Sequence, residues 1–185
     1  MIVDHETLKD YLKIQDAVTS QDDFLDTCCE WAQGQIESWL KRAIESTAYA
    51  ETRDGDGSSL LYLKNYPVVS VTSITIDDVA VTDLSTTIKT NLNTGAVYLK
   101  SGIFTSGIQN VTVVYTAGYA ASAIPDEIKA AVIELAAIIY KDSTQGSGRL
   151  GIQSEAVSDA GSNTFLHGLN PMTLIGLKRH KRIAV

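Results

Sequence analysis

Ile124-Pro125-Asp126-Glu127-Ile128-Lys129-Ala130-Ala131-Val132-Ile133-Glu134-Leu135-Ala136-Ala137-Ile138-Ile139-Tyr140 is the stretch on which the fold turns. A proline at the first helical position sacrifices only an N–H that no helix satisfies, and two acids behind it complement the helix dipole. The spacing predicts a helix over 126–142, apolar almost all round. Such a helix is buried on every side, within a bundle or between subunits. The greasiest part, Ala130 to Tyr140, is interrupted by Glu134 and is too short to span a bilayer.

Upstream of this helix the period is that of strands. Leu60–Leu63, Val68–Ile76, Val79–Leu84, Ala96–Leu99 and Val111–Tyr115 read as β-segments, with a bend near Ser73 where alternation falters. Asp77-Asp78 and Asn93-Thr94-Gly95 suit tight turns, so the sheet is expected to be antiparallel. Arg53 to Ser59 reads as a turn-rich loop. Asp54-Gly55-Asp56 lacks the ordered ligands and closing glutamate of a calcium loop. Further upstream, Asp4 can cap a short helix over 4–13. Ser20 with Asp23 resembles a capping box for a long amphipathic helix ending near Glu45, on which Phe24, Cys28, Trp31, Ala32, Ile36, Trp39, Leu40 and Ala43 recur.

Downstream, 143–169 is rich in Gly, Ser and Gln and reads as a long mobile loop. Asn170-Pro171 opens a last helix, which runs into Lys178-Arg179-His180-Lys181-Arg182. The fold class is therefore α+β. Helices from both chain ends pack as a small bundle, and a central antiparallel sheet is inserted between them. One domain over 1–185 is expected, with helices in 1–46, strands in 52–119, a buried helix at 125–142, the loop, and a C-terminal helix with a basic tail at 170–185.

Charge is unevenly placed. Of 22 acidic residues nine lie in residues 1–40, against two of the 15 basic ones, so the net charge of −7 originates in the N-terminal helices. A chain so acidic is a poor candidate for gripping phosphate backbones. The acidic N-terminus lacks the pattern of a signal peptide, and the adjacent Cys28 and Cys29 are expected to be reduced and buried. Asn110-Val111-Thr112 fits the glycosylation pattern, which means little without secretion. Gly146 to Gly151 follows a helix and precedes none, unlike a nucleotide-binding loop. His5, His167 and His180 sit at no metal-ligand spacing, and no nucleophilic triad is apparent. No catalytic residue, cofactor or metal is expected. The residues favour a binding or structural role, with a small cytosolic enzyme or ligand-binding domain as the alternative.

Three groups of residues carry a resemblance. Thr7-Leu8-Lys9-Asp10-Tyr11-Leu12-Lys13-Ile14 precedes Asp22-Asp23-Phe24-Leu25 and the long helix to Trp39-Leu40. Tyr66-Pro67-Val68-Val69-Ser70-Val71 is joined by Val111-Thr112-Val113-Val114-Tyr115-Thr116-Ala117-Gly118-Tyr119. Ile124 to Ala131 follows, with Gly151-Ile152-Gln153-Ser154-Glu155 and the late Asn170-Pro171 helix. In spacing and order the chain resembles the head–tail connector, or adaptor, proteins of tailed phages and prophages. That resemblance implies a structural virion protein, made in the host cytoplasm, and a homo-oligomeric ring of about twelve subunits. The ring would sit beneath the portal protein, seat head-closure or tail proteins, and let double-stranded DNA pass without sequence-specific binding or membrane contact. Ile128, Val132, Leu135 and Ile139 would then pack neighbouring subunits. The basic cluster, Lys178, Arg179, Lys181 and Arg182, would meet the portal, with packaged DNA as the alternative partner. A head-closure or tail-completion protein is the nearest competing reading.

Overall fold

Asp4 starts the first helix as its residue type demands: its carboxylate accepts from Thr7 N at 2.9 Å and Thr7 Oγ1 at 2.7 Å. In the computed structural model, which describes residues 1–15, 17–143, 154–156, 162–164 and 169–181, α1 spans His5–Leu12 and ends where Lys13 turns left-handed (φ 61°). Helix α2, Asp22–Leu40, begins without the capping box expected at Ser20 and Asp23. Its N-cap is Gln21, which makes no side-chain cap bond. Asp22 instead pairs with the buried Lys9 of α1, so long-range ion pairing and the helix dipole hold this end. The helix also stops short of Glu45, because Lys41 takes a left-handed φ of 58°. The stripe it buries is Leu25, Cys28, Cys29, Ala32, Ile36 and Leu40. Trp31, expected on the apolar face, is exposed.

Helix α4, Asp126–Asp142, packs against α2, with Pro125 as its N-cap. The two run antiparallel: Tyr140 near the end of α4 lies 6.3 Å from the Phe24 ring near the start of α2 and donates to Gln21 Oε1 at 2.5 Å. Ile128, Ala131, Val132, Ala136, Ala137 and Tyr140 are buried. Ile133, Leu135, Ile138 and Ile139 are only half-buried, so α4 is not enclosed on every side. Helix α5, Pro171–Lys178, is capped by Asn170, whose side chain accepts from Met172 N. Glu134, the lone acid inside the apolar helix, fastens α5 by accepting from Asn170 N at 2.7 Å and Thr173 Oγ1 at 2.5 Å. Within the stretch expected to be a loop, β8 (Ser154–Ala156) and β9 (Ser162–Thr164) pair antiparallel. The remainder of that expectation lies outside the described residues. Met1–Lys41 and Ile124–Lys181 form one compact unit, so helices from both chain ends pack together.

Residues Arg42–Ala123 form the second unit. Strand β7, Gly107–Ala117, lies between β1 (Thr47–Gly55) and β3 (Val68–Ile76), and the two-residue β4 (Val79–Ala80) follows β3, all antiparallel. A smaller sheet has β6 (Ala96–Leu99) between β2 (Leu60–Tyr62) and β5 (Ile88–Asn91). From Val111 on, β7 alternates strictly and buries Val111, Val113, Tyr115 and Ala117 against Ile74, Val97, Leu99 and Phe104. Each large apolar side chain so buried stabilises the unit by about 1.5–3 kcal/mol. The bend expected near Ser73 is a bulge: Val71 pairs with Tyr115 and Ser73 with Val114, leaving Thr72 over, and a second bulge lies at Val69. Asp77 and Asp78 both have positive φ (50° and 64°), as a tight hairpin requires. The strand expected over Val79–Leu84 stops at Ala80, and Leu84–Thr87 forms a short helical turn, α3.

Candidate interaction surfaces

Among the described residues no group of His, Cys, Asp and Glu could hold a metal ion, and no helix is long and apolar enough to cross a membrane. Burial pushes the Cys28 thiol up to about 11 and Cys29 to about 12, and neither is in a disulfide. Such thiols are poor nucleophiles. The loop expected over Arg53–Ser59 begins only after Gly55, because β1 carries Arg53, Asp54 and Gly55; beyond the strand, Asp56 accepts from Ser58 N at 2.8 Å. Hydrogen bonds from Ser58 hold the Asp56 carboxyl below the ordinary carboxylate range.

Part of the N-terminal acidity is neutralised inside the helical unit. Asp26 accepts from His5 N at 2.9 Å and meets His5 Nδ1 at 2.9 Å, while Asp22 pairs with Lys9. The Asp26 bond raises the His5 pKa above its usual 6.5. Glu6, Asp10, Asp23 and Glu30 remain exposed, and they make the acidic surface of this unit.

At the other end of the chain the four expected cations separate. Lys178 and Arg179 are exposed. The Lys181 ammonium lies 4.7 Å from the centroid of the Trp39 ring, a cation–π contact within its own unit. Arg182 lies outside the described residues. The four residues expected to pack subunits separate too. Ile128 and Val132 have no exposed surface, so they have nothing left to offer a neighbour. This corrects the expectation for those two: one face of α4 is consumed by its own bundle. Leu135 and Ile139, half-buried, retain some surface.

In the sheet unit, the motif residues converge on a side chain that sequence reasoning passed over. Arg42 lies 5.2 Å from the Tyr66 ring centroid and 5.3 Å from that of Tyr119. It donates to the Tyr66 carbonyl and to Tyr119 Oη. Gly118, at φ 120°, must be glycine: a Cβ there would lie 2.5 Å from the Glu45 carbonyl oxygen. Tyr115 donates to Glu51 at 3.0 Å and accepts from Asn65 N and Nδ2 at 3.2 Å, and burial pushes its pKa up to about 12. The tyrosine-ended strand is therefore a structural clamp.

A second polar knot sits where β7 begins. Asn110 Oδ1 accepts from Gly55 N at 2.9 Å, and its Nδ2 donates to Asp77 at 3.0 Å and the Thr105 carbonyl at 2.8 Å. Gly55 packs so tightly that a Cβ would fall 1.9 Å from the Thr105 oxygen. One asparagine thus ties three chain segments, and the adjacent Ile108 is 88% exposed. The sequence signal was weak: a glycine, then an asparagine three residues on, at the start of an alternating strand.

Comparison with known proteins agrees with this architecture. The model of the family described as "Head completion protein" matches residues 1–165. No curated protein matches. Among solved structures, the chain is similar to one in the neck of an empty GTA particle computed with C6 symmetry (TM-score 0.65, 17% identity, 100% of this chain and 91% of that chain). It is also similar to chains in the neck of a native GTA particle computed with C12 symmetry (TM-score 0.61, 17% identity, 97% and 88%), and in the virion of a native gene transfer agent particle (TM-score 0.64, 17% identity, 100% and 91%). At that identity these structures share the fold.

Proposed function

The chain belongs to the head completion protein family and is a structural protein of the head–tail connection, and from that premise we propose that it works as a ring of identical subunits rather than as a catalyst. The whole chain, 1–185, acts as one connector subunit, made in the host cytoplasm and built into the virion beneath the portal, where it seats head-closure or tail proteins. The observation that carries this reading is the family match over 1–165. Similarity to chains of a neck with twelvefold symmetry supports a ring of about that size. The exposed acids Glu6, Asp10, Asp23 and Glu30 suit a passage that double-stranded DNA must slide through, since like charge prevents the duplex from sticking. Lys178 and Arg179, exposed on an acidic protein, are the cations offered to the portal, together with Arg182. Leu135 and Ile139 are offered to neighbouring subunits.

Particle mass and electron microscopy across concentration, with and without the portal, test the ring. Discrete rings with a central hole are expected, and a closed dimer under every condition would overturn the reading. Removing residues 178–185 is expected to leave melting nearly unchanged and to weaken attachment to portal-bearing heads, increasingly at high salt. Unchanged head completion by the truncated chain would remove the tail from the portal contact.

A further inference from the structure

Building on the ring reading above, we propose that Ile108 at the tip of the sheet unit inserts into the lysine-flanked concavity on β5–β6 of a second copy, forming the contact that propagates the ring. Ile108 is 88% exposed, the most of any large apolar residue described. It is not on a loose loop. Gln109 is held left-handed (φ 52°) with its N–H on Asp54 at 2.7 Å, and Asn110 fastens the three segments around it. A side chain fixed in its exposed position has already met much of the ordering cost of binding. Its surroundings are acidic: Asp77 and Asp78 line the same depression as Ile108.

The receptor is elsewhere on the same unit. Leu92 and Tyr98, 49% and 40% exposed, line a concavity with Lys89, Lys100, Asn91 and Asn93, and no carboxylate lines it. Among the described residues neither lysine has an ion pair. An exposed apolar side chain edged by aspartates and an apolar hollow edged by unpaired lysines are thus complementary in polarity and in sign of charge. Because knob and hollow are different surfaces of one subunit, the contact is heterologous: each copy that docks leaves a free knob and a free hollow for the next. Charge on both parts gives the contact a salt dependence.

Light scattering and electron microscopy of the full chain, with and without the portal, test this with two variants. Ile108→Ser removes the knob, and Lys89→Glu/Lys100→Glu reverses the hollow. All three positions are solvent-facing, so circular dichroism and melting should match the wild type. Each variant alone is expected to need at least tenfold higher concentration to form rings. An equimolar mixture is expected to stop at a heterodimer, since only one intact knob and one intact hollow remain. Rings from either variant at the wild-type concentration would overturn the inference and leave the ring standing. Wild-type chain that never forms rings would overturn the ring reading itself. If Ile108→Ser melts lower, Ile108→Val, which keeps a smaller knob, must restore both melting and ring formation, and if Lys89→Glu/Lys100→Glu melts lower, Lys89→Gln/Lys100→Gln must keep wild-type melting and still weaken ring formation, or the inference fails.

Discussion

Helix α4 and strand β7 are comparably apolar, yet they conceal themselves differently. Strand β7 is flanked by β1 and β3 and buries every second side chain from Val111 to Ala117. Helix α4 buries a stripe from Ile128 to Tyr140 and leaves Ile133, Leu135, Ile138 and Ile139 half-covered. A strand has two faces and the pleat assigns each residue to one of them, whereas a helix has a circumference, and its neighbours decide how much of it is covered. Apolar residues beyond what the core consumes therefore remain along a helix flank in one unit. In the other they are spread along the chain, at Val69, Leu92 and Ile103 as well as at Val79 and Ile108, the two most exposed.

The sharpest break of this comparison is within α4. Ile128→Ala should destabilise the protein by about 2–5 kcal/mol, as fully buried aliphatic truncations do, while Leu135→Ala should cost well under half as much. Denaturant unfolding of both variants measures the difference, and equal losses would mean that α4 has no covered and uncovered side. The next effect is at the tip of the sheet unit. Asn110→Ala leaves Gly55 N without its acceptor and should cost about 1–3 kcal/mol, with faster amide exchange at Gly55 and Asp77. The neighbouring Ile108→Ser should change stability by less than about 0.5 kcal/mol.

Smaller effects come from α1. Asp4→Ala removes the cap on Thr7 and should cost about 1 kcal/mol, read from the melting temperature. His5 gives the subtlest signal. Its pKa is raised above 6.5 in the folded chain by the Asp26 hydrogen bond. Its stabilising contribution is therefore complete below the unfolded-state pKa and is lost as pH rises through the folded-state value. The attachment of α1 should loosen as pH climbs from 6 to 9, and His5→Gln should flatten that dependence. A proton NMR titration placing the His5 midpoint at or below 6.5 would refute it.

Where hydrophobic period and tertiary structure agree, the elements were legible from residues alone. The bounds Val68–Ile76 and Ala96–Leu99 were legible from their runs of β-branched and aliphatic residues, even where alternation falters near Ser73. Strand β1 was not legible, because its half-buried positions are Tyr49, Glu51 and Arg53. Long-range partners hold the charged ones: Glu51 takes the Tyr115 hydroxyl, and Arg53 donates to the Tyr62 carbonyl. No hydrophobic period records such bonds. The end of α2 was misjudged for a related reason, since a lysine rather than a glycine adopts the left-handed cap. The motif carried by Tyr66, Tyr115, Gly118 and Tyr119 pointed to the family, but its physical purpose emerged only with Arg42 between two of the rings. The interaction surfaces were least legible. Exposure at Ile108 and internal capture of Lys181 are decided by residues distant in sequence.

The two adjacent cysteines on α2 have a consequence for chemical lifetime. A particle outside a cell meets oxygen and peroxide with no reductase to repair it. Oxidation proceeds through the thiolate, and burial pushes both thiols well above their usual range, to about 11 for Cys28 and about 12 for Cys29, so both stay protonated near neutral pH. Both sulfurs are also fully enclosed, so an oxidant would have to wait for the bundle to open. The shelf life of these thiols is thus set by how often α2 separates from its neighbours, and the rate of their modification by a thiol reagent would serve as a clock for that opening.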